Sequence, residues 1–177
     1  MPDNDKTLTL RITLCGIFAA LSMAVLWIGG MTLLDLSVLI ICALMTMLLM
    51  VEVGERMTWI YAAATAALAL LLLPSKLYAI EYILFAAVYP ILKMHFEKIR
   101  IWWAAYLVKL SCLDTMLLGC VVLAQLVFHA GEDFFSLSWL TVGAGTLFFI
   151  LYDVTLTLCI SLYIVKLRKK IGLGRRK

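Results

Sequence analysis

The sequence predicts an all-α, polytopic membrane protein, a bundle of six transmembrane helices with both termini in the cytoplasm. Hydrophobic residues make up 65% of the chain and charged residues only 15%, with a mean hydropathy of +1.07, whereas soluble domains are about half apolar and a quarter charged. Apolar stretches of roughly 20 residues, the length that crosses a bilayer, recur along the chain. Lysine and arginine residues fall almost entirely in alternate connections between these stretches.

Six apolar stretches account for nearly the whole chain. The predicted helices cover residues 9–28, 36–53, 57–73, 78–94, 102–128 and 139–165, and a basic tail follows at 166–177. Short connections join these stretches, so consecutive helices are expected to be antiparallel neighbours. The sequence therefore predicts a single membrane domain without a separate soluble domain.

The distribution of basic residues predicts the orientation of the bundle. With the N-terminus in the cytoplasm, that side holds thirteen of the 15 lysines and arginines, seven of them in the tail. The opposite side holds only Lys76, and Lys109 lies within the fifth predicted helix. Because positively charged connections stay in the cytoplasm, we expect a multi-pass protein of the cell membrane with both termini inside the cell.

The third and fourth predicted helices are shorter than the others. Each has about 17 residues and would extend about 25 Å at the rise of an α-helix, which is less than a typical hydrocarbon core. Pro90 lies near the inner end of the fourth helix. Since proline has no N–H to donate, it removes one backbone hydrogen bond and is expected to kink the helix.

The sequence argues against a metal site and a nucleic-acid-binding surface. The five cysteines lie within apolar stretches without a CxxC pair, as small packing residues do; they are Cys15, Cys42, Cys112, Cys120 and Cys159. His95 and His129 are predicted on opposite sides of the membrane and cannot share a metal ion. The basic residues lie at helix ends and in the tail, where membrane topology explains them better than nucleic acid does.

No sequence pattern of an enzyme is present. The chain lacks the HExxH and GxSxG motifs, a phosphate-binding loop and any cluster of histidines with carboxylates. It therefore lacks the nucleophile and base that a catalytic site needs. We expect a protein without catalytic activity and without a cofactor.

Three charged residues lie inside predicted spans. Lys109 and Asp114 are in the fifth helix and Asp153 is in the sixth. Charges at this depth are costly and usually face a bundle interior and a partner. Lys109 and Asp114 are five residues apart and do not face each other on one helix, so we expect Lys109 to pair with Asp153. Asp114 is expected to be protonated and hydrogen-bonded. The alternative is that the three charges only stabilise the bundle or that their side chains extend to the inner surface.

A second polar set is predicted at the outer side. It combines charged, amide and aromatic side chains near the ends of several helices: Asp35, Lys76, Tyr78, Glu81, Tyr82, Gln125 and His129. Polar and aromatic groups above an apolar floor suit a small organic ligand. The alternative is ordinary solvation of the connections.

The first helix carries a pair of small residues in the stretch Thr-Leu-Cys-Gly-Ile-Phe-Ala-Ala-Leu-Ser-Met-Ala, residues 13–24. Ala20 and Ala24 lie one turn apart, and this spacing lets helices approach closely. With the chain length, the six spans, the internal termini and the basic tail, the stretch resembles the substrate-binding S components of energy-coupling-factor vitamin transporters. Residues 81–93 are also similar to six-span membrane proteins of bacteria that have no assigned function.

The resemblance to S components implies both a fold and partners. It implies helical packing like that of an S component and a ligand held toward the outer side. Ala20 and Ala24 would contact a transmembrane coupling subunit that works with ATPases, and Asp35 would belong to a loop that gates the ligand.

Two functional hypotheses follow. The first is binding of a small, vitamin-like solute for uptake, with energy supplied by a separate module because this chain has no ATP-binding loop. The second is a noncatalytic membrane scaffold, for example in envelope assembly, in which the charges within the spans serve only as structure.

Overall fold

The computed structural model describes residues 2–31, 35–97, 102–128 and 139–167. All regular structure in these ranges is helical, which confirms the prediction of an all-α chain for the described residues. The chain divides into two compact units, Met1–Ser136 and Leu137–Lys177.

Each predicted helix has a counterpart in the structure. The first unit contains α1 (Pro2–Gly29), α2 (Asp35–Glu52), α3 (Glu55–Leu72), α4 (Lys76–Glu81), the π-helix π1 (Tyr82–Val88), α5 (Tyr89–Phe96) and α6 (Trp102–Phe128). The second contains α7 (Trp139–Leu162) and the π-helix π2 (Tyr163–Leu167). Helix α6 has the predicted bounds, whereas α1 begins seven residues earlier than predicted.

The fourth predicted helix corresponds to the consecutive elements α4, π1 and α5, which extend from Lys76 to Phe96. Its 21 residues are more than predicted, and at the α-helical rise they span about 31 Å. The extra length at the start arises because Ser75 caps α4, its side-chain oxygen accepting a hydrogen bond from the Tyr78 N–H at 3.3 Å.

Three helical segments of the described residues are long and apolar enough to cross a membrane. They are Leu8–Gly29, Lys76–Phe96 and Thr146–Val165, and the apolar helix Leu36–Glu52 is shorter. These segments agree with a membrane protein by length and composition. The six-span arrangement and the orientation of the termini stay predictions.

The core of the first unit lies where α1, α2 and α3 meet. Leu49, Val53 and Tyr61 form a buried cluster, and side chains of α1 and the start of α3 pack against it: Leu14, Cys15, Phe18, Ala19 and Met57. A short connection brings α2 and α3 side by side. It turns at Gly54, where φ is 101°, a conformation open to glycine but strained for residues with a Cβ.

The π-helical segment π1 ends immediately before the turn that contains Pro90. In an α-helix the carbonyl of Ala86 would accept a hydrogen bond from residue 90, but proline has no N–H. The hydroxyl of Thr46 in α2 donates to the Ala86 oxygen at 2.9 Å, in the buried interior. Helix α2 thus supplies a donor where the proline removes one, as neighbouring helices do at prolines within membranes.

The second unit is built on α7, whose two sides differ in exposure. Its buried side chains recur every three or four residues: Phe149, Tyr152, Leu156 and Ile160. Leu147, Leu151, Val154 and Leu158 are exposed. This periodicity is that of a helix with one buried face.

Candidate functional site

Five of the buried hydroxyl groups in the first unit lie close to one another. They belong to Ser22 of α1, Thr46 of α2, Tyr61 and Thr65 of α3 and Tyr82 of π1, and each of these residues is at most 2% exposed. We refer to them as the hydroxyl cluster. The hydroxyl oxygens of Ser22 and Tyr61 are 2.6 Å apart, and the Thr65 hydroxyl donates to the Tyr61 carbonyl at 2.9 Å.

Tyr82 differs from the other members of the hydroxyl cluster. Its hydroxyl lies near the side chains of Tyr61 and Thr65, yet it makes no hydrogen bond of standard geometry to any described residue. A buried hydroxyl group without a partner costs about 1–3 kcal/mol, and native proteins keep few of them. The sequence predicted Tyr82 as a ligand contact. In the structure its hydroxyl, which lacks a hydrogen-bond partner among the described residues, is buried between the helices of the first unit.

Tyr78, the other predicted tyrosine, is four residues before Tyr82 and is also buried. Its ring packs against the end of α1. A Cβ atom added to Gly29 would lie 2.6 Å from the Tyr78 hydroxyl and 2.8 Å from a methyl group of Val38. Only glycine therefore leaves room for Tyr78 at this point. The two tyrosines share one side of the α4–π1 segment because residues four apart lie on the same helical face.

Lys76 has a structural contact in addition to its predicted ligand role. Its Nζ atom donates to the carbonyl oxygens of Leu70 at 2.7 Å and Leu73 at 3.1 Å. These carbonyls are at the C-terminal end of α3, where the helix leaves acceptors without donors and a cation is favourable. Lys76 thus caps the preceding helix.

The other predicted outer residues are only partly described. Glu81 is half-buried at the end of α4. Asp35 begins α2 and Gln125 lies in α6, but their side chains, like the whole of His129, lie outside the described part of the structure. The described members of the predicted ligand set, Lys76, Tyr78, Glu81 and Tyr82, all come from one helical segment.

The opposite end of the first unit carries a group of ionisable side chains, which we call the charged end: Glu52, Glu55, Lys93, His95, Glu97 and Lys109. Lys93 of α5 is fully buried, and its Nζ atom lies 3.4 Å from Oε1 of Glu97. Lys109 of α6 reaches the same oxygen at 3.3 Å, and its side chain is 14% exposed. Glu97 therefore joins the end of α5 to α6.

A second contact at the charged end connects α3 with α5. The Nε2 atom of His95 lies 3.2 Å from Oε1 of Glu55. The Nδ1 atom of the same ring lies 3.0 Å from the carbonyl oxygen of Ile91, one turn earlier in α5. Both side chains of the pair are partly exposed, at 39% and 47%.

The two acidic residues predicted within the spans are Asp114 and Asp153. Asp114 is exposed on α6, where it lines an open groove with Ser111, Thr115 and Leu118. Asp153 is half-buried in α7, which belongs to the second unit. The contact between Lys109 and Asp153 stays a prediction.

Ala20 and Ala24 lie on an exposed face of α1. Gly16, one turn before Ala20, shares this face, and a Cβ added there would meet no atom within 4 Å. Ile17 and Leu21 beside them are also exposed, at 58% and 47%. The face thus combines small residues with large apolar ones and is open to contact.

Sequence reasoning missed Lys93 and Glu97. The sequence places Lys93 only among the basic residues of the predicted cytoplasmic side, whereas the structure buries it completely. The spacing of Lys93 and Glu97, four residues apart, is the signal that was available, since such pairs face each other on a helix. The hydroxyls of Ser22, Thr46, Tyr61 and Thr65 were missed because single serines, threonines and tyrosines are common in membrane helices.

No group of three or more histidine, cysteine or acidic side chains that could hold a metal ion occurs among the described residues. No known protein family, no curated protein and no solved structure matches this chain.

Proposed function

We propose that this chain is a six-span protein of the cell membrane, with both termini in the cytoplasm, that binds a small solute for uptake together with a separate energising module. The observation that carries the proposal is the fully buried Tyr82 hydroxyl, which lacks a hydrogen-bond partner among the described residues. A ligand group that bonds to this hydroxyl would remove the cost of leaving it unpaired. Binding would require a local opening, since Tyr82 is closed to solvent.

The chemistry of the hydroxyl cluster supports an uncharged part of the solute at this position. The cluster supplies hydroxyl groups from Ser22, Thr46, Tyr61, Thr65 and Tyr82, without a charged side chain among its members. Hydroxyl groups both donate and accept hydrogen bonds. The tyrosine rings offer flat apolar contact beside these polar atoms, the combination typical of small-molecule sites.

We expect Tyr82→Phe to weaken solute binding while leaving the fold intact. Because the Tyr82 hydroxyl makes no hydrogen bond to a described residue, its loss should raise the free energy of unfolding by about 1–3 kcal/mol rather than lower it. Loss of a hydrogen bond to the solute should weaken binding about tenfold, which corresponds to 1.4 kcal/mol. Mass spectrometry of small molecules that co-purify with each variant, followed by titration of the identified compound, measures the effect.

Tyr61→Phe is the comparison variant for Tyr82→Phe, since it removes a hydroxyl of the same cluster that has a partner. Loss of the contact of 2.6 Å with Ser22 should lower the free energy of unfolding by about 1–2 kcal/mol, an effect that Tyr82→Phe should not show. Retention of the co-purified compound by Tyr82→Phe, at wild-type affinity, would contradict the proposed binding site.

The exposed face of α1 supports the second half of the proposal, the separate energising module. The resemblance to S components assigns Ala20 and Ala24 to contact with a transmembrane coupling subunit. Small residues on an exposed helix face permit the close approach that association of membrane helices requires. Neither alanine is used for packing inside the first unit, since both are exposed.

We expect Ala20→Leu combined with Ala24→Leu to prevent co-purification of a coupling subunit and its ATPases, because two larger side chains hold the helices apart. The matched control is Ala63→Leu with Ala67→Leu, which changes two exposed alanines at the same spacing on α3. Affinity purification from the native membrane, with the partners identified by mass spectrometry, compares the two double variants. Equal partner recovery from both would remove the support for a coupling surface on α1.

A noncatalytic membrane scaffold is the second candidate function. It is favoured by the structural contacts of two predicted functional residues, the helix cap made by Lys76 and the ion pair of Lys109 with Glu97. A scaffold would co-purify without a solute and would be insensitive to Tyr82→Phe, so the same experiment separates the two functions.

A further inference from the structure

The hydroxyl cluster lies nearer one end of the first unit than the other. Ser22 is seven residues before the end of α1, Thr65 is seven residues before the end of α3, and Tyr82 is six residues after the beginning of α4. At the rise of an α-helix these distances are about 10 Å, measured to the end that carries Lys76, which we call the Lys76 end. In the other direction, Thr65 is ten residues, or about 15 Å, from the beginning of α3 at the charged end. The shorter path from solvent to the cluster therefore starts at the Lys76 end.

A layer of buried side chains lies between the cluster and the Lys76 end. Cys42 of α2 is beside the cluster, where its thiol donates to the Ser22 carbonyl oxygen at 3.9 Å. One turn nearer the Lys76 end, on the same helical faces, are four residues that we call the closing layer: Leu26 after Ser22, Val38 before Cys42, Ala69 after Thr65 and Tyr78 before Tyr82. Each is at most 8% exposed. Tyr78 and Val38 both approach Gly29, so α1, α2 and α4 meet at this layer.

Tyr78 lies at the edge of the closing layer, next to solvent. A Cβ atom at Gly30 would lie 3.7 Å from two carbon atoms of the Tyr78 ring, and Gly30 is exposed. Leu26 and Ala69, in contrast, are fully buried. Because glycine has no side chain, a rotation of Tyr78 over the end of α1 meets no side chain at Gly30 and leaves the helices in place.

We propose that the Tyr78 side chain is the gate to the hydroxyl cluster and that the solute enters from the Lys76 end. This inference rests on the proposed function, which takes the hydroxyl cluster as the binding site. In the structure the ring closes the layer against Gly29. When the ring turns toward Gly30, the space one turn above Tyr82 opens to a solute, and its return shuts the site from solvent. Motions that open and close a site in this way control the entry and release of its ligand.

Reaction of the Cys42 thiol tests the gate without knowledge of the solute. Cys42 is fully buried beside the cluster, and the other four cysteines of the chain are replaced by alanine. The probe is a charged methanethiosulfonate reagent, which stays in water, and mass spectrometry follows its reaction with the full chain in detergent micelles. We expect Tyr78→Ala to raise the reaction rate about tenfold, because a buried group reacts through local opening. Gly30→Val should lower the rate about two- to threefold, since a valine side chain there obstructs the turning ring.

Tyr89→Ala is the matched control. Tyr89 is a fully buried tyrosine of α5, seven residues from Tyr82 toward the charged end. Its removal should destabilise the bundle as removal of Tyr78 does, yet Cys42 should react at least about threefold more slowly than in Tyr78→Ala. Equal acceleration by both tyrosine variants, or an unchanged rate in Gly30→Val, would overturn the gate. Binding of the co-purified solute by Tyr82→Phe tests the binding site itself, so failure of the gate and failure of the proposed function give different results.

Discussion

Glu97→Gln is expected to lower the free energy of unfolding by about 2 to 3 kcal/mol, because it leaves the charge of Lys93 without its carboxylate partner inside the bundle. Lys93 is fully buried and lies 3.4 Å from Glu97. Removal of one member of a buried ion pair costs roughly 3–5 kcal/mol. We expect a lower value because the Glu97 side chain is 32% exposed and Lys93 has a further contact. Unfolding by sodium dodecyl sulfate in mixed micelles measures the change.

Two control variants separate this charge effect from others. Lys93→Met combined with Glu97→Gln should cost less than the sum of the two single changes, since the double variant removes the buried Lys93 charge together with its carboxylate partner. Both Glu97 variants lose the contact with Lys109, so that loss does not distinguish them. Glu55→Gln alters a carboxylate of the same charged end that is 47% exposed, so it should cost about 1 kcal/mol or less. If Glu97→Gln unfolds like Glu55→Gln, the burial of Lys93 does not depend on Glu97.

Gly29→Ala is expected to destabilise the protein by about 1–3 kcal/mol through overpacking at the end of α1. The new Cβ would lie 2.6 Å from the Tyr78 hydroxyl and 2.8 and 2.9 Å from the two methyl groups of Val38. Such distances force α1, α2 or α4 to shift. The midpoint of thermal unfolding in micelles measures the loss.

Gly16→Ala provides the matched control on the same helix. A Cβ at Gly16 meets no atom within 4 Å, and alanine is the better helix former, so the variant should be as stable as the wild type or more stable. Tyr78→Phe removes the closest atom and should restore part of the stability of Gly29→Ala. If both glycine variants lose equal stability, the contact with Tyr78 is not the cause.

The class of fold was accessible from the sequence because it depends on local composition. Apolar stretches predicted helices close to those observed, including α6 with its bounds at Trp102 and Phe128. The first residue of α4 was harder to predict from the sequence. Its position depends on the cap made by Ser75 and on the hydrogen bond from Lys76 to the preceding helix. Pro90 is a signal in the sequence for the irregular turn before it. The hydroxyl that replaces the missing N–H of the proline comes from Thr46, which belongs to another helix.

The candidate site was only partly accessible from the sequence. Tyr78 and Tyr82 were predicted as ligand contacts from their place near the end of a helix. Their burial, the close approach of Tyr78 to Gly29 and the contact between the hydroxyls of Ser22 and Tyr61 depend on how α1, α3 and the α4–π1 segment are rotated about their axes. These helices are apolar on most sides, so hydrophobic periodicity carries little information about rotation.

The sequence by itself determined that this chain is helical and apolar enough for a membrane, because helix length and hydropathy are properties of consecutive residues. Tertiary structure alone decided which polar atoms meet. It buried Lys93, engaged Lys109 of α6 with the carboxylate of Glu97 and left the Tyr82 hydroxyl without a hydrogen-bond partner among the described residues. Hydrogen bonds and ion pairs form only within a few ångströms, a precision that the packing of neighbouring helices sets and local sequence does not.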